Sequence, residues 1–387
     1  MMKQIIWVLA GLAVLGGLLS AGRPLLRTYD AILVMADAAA GPEPSRLKKT
    51  TPAPRRTSVS YRVADRSHTA DLYLPGNGQP AAAIVLVPGA VPQGKDEPRL
   101  VAFAQTLARA RFAVLAPDLP GFRRLQIGPG DTRDVADAFA FLASRADLAP
   151  DGRAGIGAFS YAVGPALLAA MEPDIRERVR FIVGVGGYHN LDDTIRFFTT
   201  GYFRHGEAWQ HMEPDEYGKL VFVRTARAYL GDAGDVALLD AMVERRLRDR
   251  AADLADLAAR LGPEGRSVYA LVTNGDPERF AALAAALPAR LQADLAALSL
   301  HNKDLAPLAA RLILVHGRND RVIPYAESIA LADAVRPGQA RLFLIDRLLG
   351  HVDMSPGRVF SQEFLRRELP DLWRMGRAVW LLLRERR

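Results

Sequence analysis

The chain contains no cysteine. That excludes disulfide staples, thiolate nucleophiles and cysteine-ligated zinc, and it is compatible with the cytoplasm or the periplasm. No dense Lys/Arg block with interleaved aromatics occurs either. The net charge of +7 is carried mostly by arginine and spread along the chain, so nucleic acid is not expected as a partner. Long apolar runs are missing with one exception, residues 5–21, which lie uncharged between Lys3 and Arg23. As a helix this run is about 25 Å long, slightly short of a ~30 Å hydrocarbon core. With the small residues Ser20-Ala21-Gly22 behind it, residues 1–26 read as a signal anchor or a cleaved signal peptide. Both readings place the protein at a membrane or across it, and Arg23 and Arg27 on the far side leave the orientation open.

What is present is an ordinary globular balance: 387 residues, half apolar and about a quarter charged. That suits one large α/β domain with an insertion, or two domains. Residues 30–40 lean towards a short helix, and proline-rich 41–56 towards an extended segment, so 27–57 is expected to be a linker or arm. Alternation over 58–74 predicts an antiparallel hairpin turning near residues 65–68. From there short apolar runs at 82–87, 112–115, ahead of Ser160 and at 181–185 alternate with helical spacing at 100–108 and 135–142. This rhythm predicts βαβ units and a mainly parallel, doubly wound sheet. It breaks at about Leu191. Residues 191–308 read as an inserted helical cap between core parts 58–190 and 309–370, with apolar strands resuming at 311–315 and 341–345. Residues 371–387 read as a basic amphipathic tail whose two tryptophans, leucines and arginines suit a membrane interface as well as packing on the sheet.

The most informative stretch is Gly155-Ile156-Gly157-Ala158-Phe159-Ser160-Tyr161-Ala162-Val163-Gly164. An apolar strand gives way to small residues and then to a helix, with a hydroxyl at the apex. A serine between strand and helix is commonly an N-cap. Here two partners follow in the chain order that a strand–turn–helix nucleophile uses, Asp320 in His316-Gly317-Arg318-Asn319-Asp320 and His351 in Leu349-Gly350-His351. A neutral imidazole can take the serine proton, and a buried carboxylate can fix its tautomer and stabilise the resulting cation. Asp276, Asp346 and Asp353 are the rival carboxylates, while His189, His301 and His316 stand near strand ends in roles expected to be structural. Donors for a developing oxyanion are expected from the N–H of Tyr161 and, in the Gly89-Ala90-Val91 turn, of Ala90. Gly89, Val91, Tyr188 and His189 are the residues expected to line a substrate pocket.

Together with Leu86-Val87-Pro88-Gly89 and Leu115-Ala116-Pro117-Asp118-Leu119-Pro120-Gly121, these motifs resemble the α/β-hydrolase superfamily, in particular bacterial serine esterases and dienelactone-hydrolase-like enzymes. The resemblance covers roughly residues 80–190 and 310–355. It implies ester hydrolysis through an acyl-enzyme on Ser160, a small-molecule ester as substrate, and neither a metal nor an organic cofactor. Acyl transfer, thioester or amide hydrolysis by the same residues, and a non-catalytic membrane-tethered binding protein on the same fold, are the alternatives. Two departures from the family pattern stand out. Ala158 and Ala162 replace the glycines that usually flank the nucleophile, and Pro165 falls early in the following helix, where it removes a donor or bends the first turns.

Overall fold

A computed structural model describes residues 24–249, 251–351 and 368–386. Eight strands form one sheet: β1 (Arg55–Val63), β2 (Arg66–Leu74), β3 (Ala82–Val87), β4 (Phe112–Pro117), β5 (Ala154–Phe159), β6 (Val179–Val185), then β9 (Arg311–Gly317) and β10 (Ala340–Ile345). Their spatial order is β1-β2-β4-β3-β5-β6-β9-β10. Only the β1–β2 and β2–β4 pairings are antiparallel; β4, β3, β5, β6, β9 and β10 run parallel. The sheet is therefore mainly parallel and wound on both faces.

Strand alternation explains the two layers. Along β3, Ala83, Val85 and Val87 point into one apolar layer and Ile84 and Leu86 into the other; along β4 the split is Ala113 and Leu115 against Phe112, Val114 and Ala116. A strand buried on both faces reads as a continuous apolar run, which is why these strands were visible as uninterrupted hydrophobic segments. Helices Gly130–Ser144 and Val163–Ala169 cover the first face. Helices Pro98–Arg109 and Leu369–Leu383 cover the second, together with a helix over residues 24–40.

Three expectations need correction. Residues 27–57 are not a linker or arm: the helix expected near 30–40 spans 24–40 and, with a second one, Arg46–Thr50, buries Ala31, Val34 and Leu47 against the second face. Buried Asp37 ties them down, accepting from Lys48 Nζ at 2.7 Å and Thr106 Oγ1 at 2.6 Å. The β1–β2 turn lies at Ala64 and Asp65, tighter than expected, with Ala64 at φ +49°. Finally, the segment between β6 and β9 is not wholly helical. Beside helices such as Leu191–Thr200, Tyr217–Ala226 and Ala233–Arg248 it carries a hairpin, β7 (Tyr202–His205) and β8 (Ala208–His211). Aromatic pairs hold that hairpin, including Phe203 against Tyr325 and Tyr202 against His211, and a period-two pattern of four residues is too short to stand out in sequence. No helix among the described residues is long and apolar enough to cross a membrane, and the 5–21 segment lies outside those residues.

Glycines set the tightest approaches in the sheet. A Cβ at Gly155 would lie 2.1–2.5 Å from the ring atoms of Phe181, which is itself buried. Gly155→Ala is therefore expected to destabilise the protein by about 1–3 kcal/mol, the usual cost of overpacking a filled core. Chemical denaturation of the variant beside the parent measures this, and an unchanged midpoint would mean that the ring has room to move.

Candidate active site

The strand order reverses direction between β3 and β5, and in open α/β sheets the crevice at such a switch point receives ligands. Register brings the relevant residues level: Val87 pairs with Ala158, so Gly89 and Ser160, each two residues further on, emerge side by side. A Cβ at Gly89 would sit 3.7 Å from the Cβ of Ser160.

Ser160 follows β5 directly and adopts φ +55°, a left-handed conformation that non-glycine residues rarely hold. Such strain persists only where the surroundings enforce it. Here β5 is clamped between β3 and β6, and a tight turn over Ser160–Ala162 leads straight into helix Val163–Ala169. Both flanking alanines are buried, Ala158 at 1% and Ala162 at 0% exposure, so the elbow accommodates a methyl group on either side of the serine. Pro165 lies in the first turn of the helix, where backbone N–H groups lack intrahelical acceptors anyway; the turn continues through it.

The predicted partners converge on this hydroxyl. His351 Nε2 lies 2.6 Å from Ser160 Oγ, and His351 Nδ1 lies 2.7 Å from Asp320 Oδ2. With Nδ1–H donating to the carboxylate, Nε2 is free to accept from the serine hydroxyl. Asp320 is fully buried. Its Oδ1 accepts the backbone N–H groups of Val322 and Ile323 at 2.8 and 3.0 Å, so one oxygen caps the loop turn while the other holds the imidazole. Burial pushes its pKa up, but the adjacent His351 and hydrogen bonds from His316 and His351 outweigh that and hold the carboxyl below the usual range.

Several supporting residues were not assigned to the site from sequence. His316 Nε2 lies 3.2 Å from Asp320 Oδ2 and donates to the Ile323 carbonyl at 2.9 Å, while its Nδ1 accepts from Ser328 Oγ at 2.7 Å. Gly186, at φ +64°, ends β6; a Cβ there would meet the His351 carbonyl at 2.9 Å and Asp320 Oδ2 at 3.3 Å. A Cβ at Gly317 would meet the Leu349 and Gly350 carbonyls at 2.2 and 2.4 Å. These two glycines let the histidine loop lie on the strand ends. Buried Asp371, on the C-terminal helix, accepts the N–H groups of Asp346 and Arg347 at 3.0 and 2.8 Å and so shapes the turn that leads to His351.

The Ala90 N–H has no acceptor among the described residues, and the Tyr161 N–H opens the turn at the start of a helix. The Ala90 carbonyl accepts a short hydrogen bond from the hydroxyl of Tyr217, which arrives from the inserted segment. Just ahead of Tyr217, Asp215 N donates to the Arg321 carbonyl at 2.7 Å and Arg321 Nε to the Glu213 carbonyl at 2.8 Å. Residues 213–217 therefore form a strap that links the loop after β9 to the loop after β3.

The other residues expected at the pocket have these surroundings. Tyr188 is fully buried, its hydroxyl donating to the Leu298 carbonyl at 3.0 Å, and it offers the pocket no surface. His189 faces His301, and its backbone N–H donates to Glu327 at 2.9 Å. The Val91 carbonyl closes a turn with Gly94 N–H. Tyr161 contributes its backbone at the elbow while its hydroxyl donates to buried Asp131 at 2.9 Å. Asp346 pairs with Arg318 and Arg374, Asp276 caps a turn, and Asp353 lies outside the described residues. An open groove of about 720 Å³, lined by Arg62, Arg66, His68 and Asp118, lies outward along the same sheet edge; Arg66 and His68 there engage Asp137.

A serine on a strained strand–helix turn, with its partners following β9 and β10 on this strand order, decides the architecture. The fold is that of the α/β-hydrolases. Among solved structures, this chain is similar to a 2,6-dihydroxy-pseudo-oxynicotine hydrolase (14% identity, TM-score 0.48, 86% of this chain and 68% of that one). It is also similar to a dienelactone hydrolase from Anabaena variabilis (15%, 0.41, 86% and 98%) and to an esterase from the archaeon Pyrobaculum calidifontis (13%, 0.44, 92% and 87%). No family model and no curated protein matches the chain.

Buried Glu327 holds the base of the insertion, accepting the N–H groups of His189 and Asn190 at 2.9 and 2.6 Å. Burial pushes its pKa from 4.5 up to about 8, against the opposing pull of those two donors. The folded chain thus keeps a proton that the unfolded chain releases near 4.5, so stability is lost as pH rises through the window up to about 8. Glu327→Gln retains an acceptor without the titration. It is expected to flatten this slope and to exceed the parent by roughly 1–3 kcal/mol above pH 8. Urea unfolding at several pH values reads both effects, and parallel slopes for the two proteins would contradict the assignment.

Proposed function

We propose that the protein is a serine hydrolase that cleaves a carboxylic ester through an acyl-enzyme on Ser160. The observation that carries this reading is the unbroken hydrogen-bond line from Asp320 through His351 to a serine held at φ +55°. As Ser160 Oγ attacks the ester carbonyl, His351 Nε2 takes its proton, and buried Asp320, ionised throughout, stabilises the imidazolium. The N–H groups of Ala90 and Tyr161 receive the oxyanion of the tetrahedral intermediate. The alcohol departs with the proton from His351, and a water molecule activated by the same imidazole then releases the acid.

In this reading Tyr217 is a positioning residue, because its hydroxyl pins the residue that supplies one oxyanion donor. Burial pushes its pKa up to about 12, so it remains a donor across the physiological range.

Ser160→Ala is expected to lower p-nitrophenyl ester hydrolysis by roughly 10⁴- to 10⁶-fold and to abolish labelling by a fluorophosphonate probe. Labelling of the parent that persists in the variant, or an unlabelled folded parent, would refute the nucleophile assignment. Tyr217→Phe keeps the ring and removes only the hydroxyl. Its kcat should fall about tenfold at unchanged KM, short of the 10²- to 10³-fold that loss of an oxyanion donor itself costs; a change confined to KM would assign it to substrate binding instead.

A further inference from the structure

Large apolar side chains are concentrated on one part of the outer surface. Among the described residues, eight are conspicuously exposed, and six of them lie on two neighbouring helices: Leu25, Leu26, Tyr29 and Ile32 on the helix over 24–40, and Leu369 and Trp373 on helix Leu369–Leu383. Spacings of three, four and seven place each set on one stripe of its helix. The helices meet where the Arg27 guanidinium lies 5.2 Å from the Trp380 ring and Arg386 bonds Asp30 at 2.6 Å. Trp380 is two turns beyond Trp373 on the same face. The patch is rimmed by cations stacked on its rings, Arg377 over Trp373 at 4.7 Å, Arg384 over Trp380 at 5.4 Å and Arg46 over Tyr29 at 5.8 Å.

We infer that this two-helix face lies on a bilayer surface bearing anionic lipid headgroups. Tryptophan, leucine and arginine on one exposed face are the composition that settles at the boundary between acyl chains and headgroups. Two further observations favour a bilayer over a second copy of the chain. The uncharged run at residues 5–21 ends three residues before Pro24, within roughly 10 Å of the patch even if fully extended. A self-contact would also press two patches carrying the same cations, Arg27, Arg377 and Arg384, against one another, whereas an anionic surface attracts each of them. The inference is independent of the Ser160 chemistry.

Because the chain lacks cysteine, one introduced thiol reports on one position. Full-length Trp373→Cys and, as a control on the β1–β2 turn, Asp65→Cys carry an environment-sensitive fluorophore and are mixed with vesicles of phosphatidylcholine with phosphatidylglycerol, or of phosphatidylcholine alone. The label at position 373 is expected to shift to the blue and to be quenched by nitroxide-bearing lipid, more strongly with phosphatidylglycerol, while the label at position 65 stays water-like. A protein that floats with the vesicles while the label at position 373 remains aqueous would overturn the proposal, since the N-terminal run alone would then make the contact. Absence of vesicle binding overturns it too, as does a blue shift that rises with protein concentration in the absence of lipid.

Discussion

The hydrogen bond between Ser160 and His351 joins positions 191 residues apart, and most of the architecture around it makes that contact possible. Parallel strands deliver their carboxyl ends to one edge of the sheet, so the loops after β3, β5, β6, β9 and β10 meet there. His351 must still lie back over β9 and β6 to reach the serine. Glycine at 186 and 317 permits it, because any side chain there would occupy the space of the histidine loop's own backbone. Asp371 holds the start of that loop from beneath, and His316 holds the carboxylate that orients the ring. The site is thus a short line of side chains resting on a dense layer of backbone contacts.

The insertion is attached in a way that leaves the sheet undisturbed. Its entry and exit lie side by side: Leu300 and His301 donate to the His189 carbonyl, Tyr188 reaches Leu298, and Leu191 N–H reaches Ser299. A long excursion closed at its base costs little more than a short one, since closure entropy grows only slowly with loop length. From that base the segment returns to the core through the strap at residues 213–217, which contacts the loops after both β3 and β9.

The C-terminal helix faces two ways. Its inner side buries Ala378, Leu382 and Leu383 and directs Asp371 to the turn before His351, while its outer stripe exposes Trp373. An exposed apolar stripe and support of the histidine loop thus reside on opposite faces of the same fifteen-residue amphipathic helix.

Local order in the chain was enough to specify the apolar strands, the elbow around Ser160 and the succession serine, aspartate, histidine, because strand period, turn chemistry and motif spacing are properties of neighbouring residues. The β7–β8 hairpin and the packing of the helix over 24–40 escaped that reading, since long-range aromatic and buried-carboxylate contacts stabilise them rather than their own pattern. Tyr188 looked like a pocket residue by its nearness to a strand end, yet side-chain direction buried it. Which glycines matter, which histidine supports Asp320, and that Tyr217 reaches Ala90 across 127 positions were settled only in three dimensions. Each depends on distances between segments that the linear order leaves free, and those distances exist once the sheet has closed and its layers have packed.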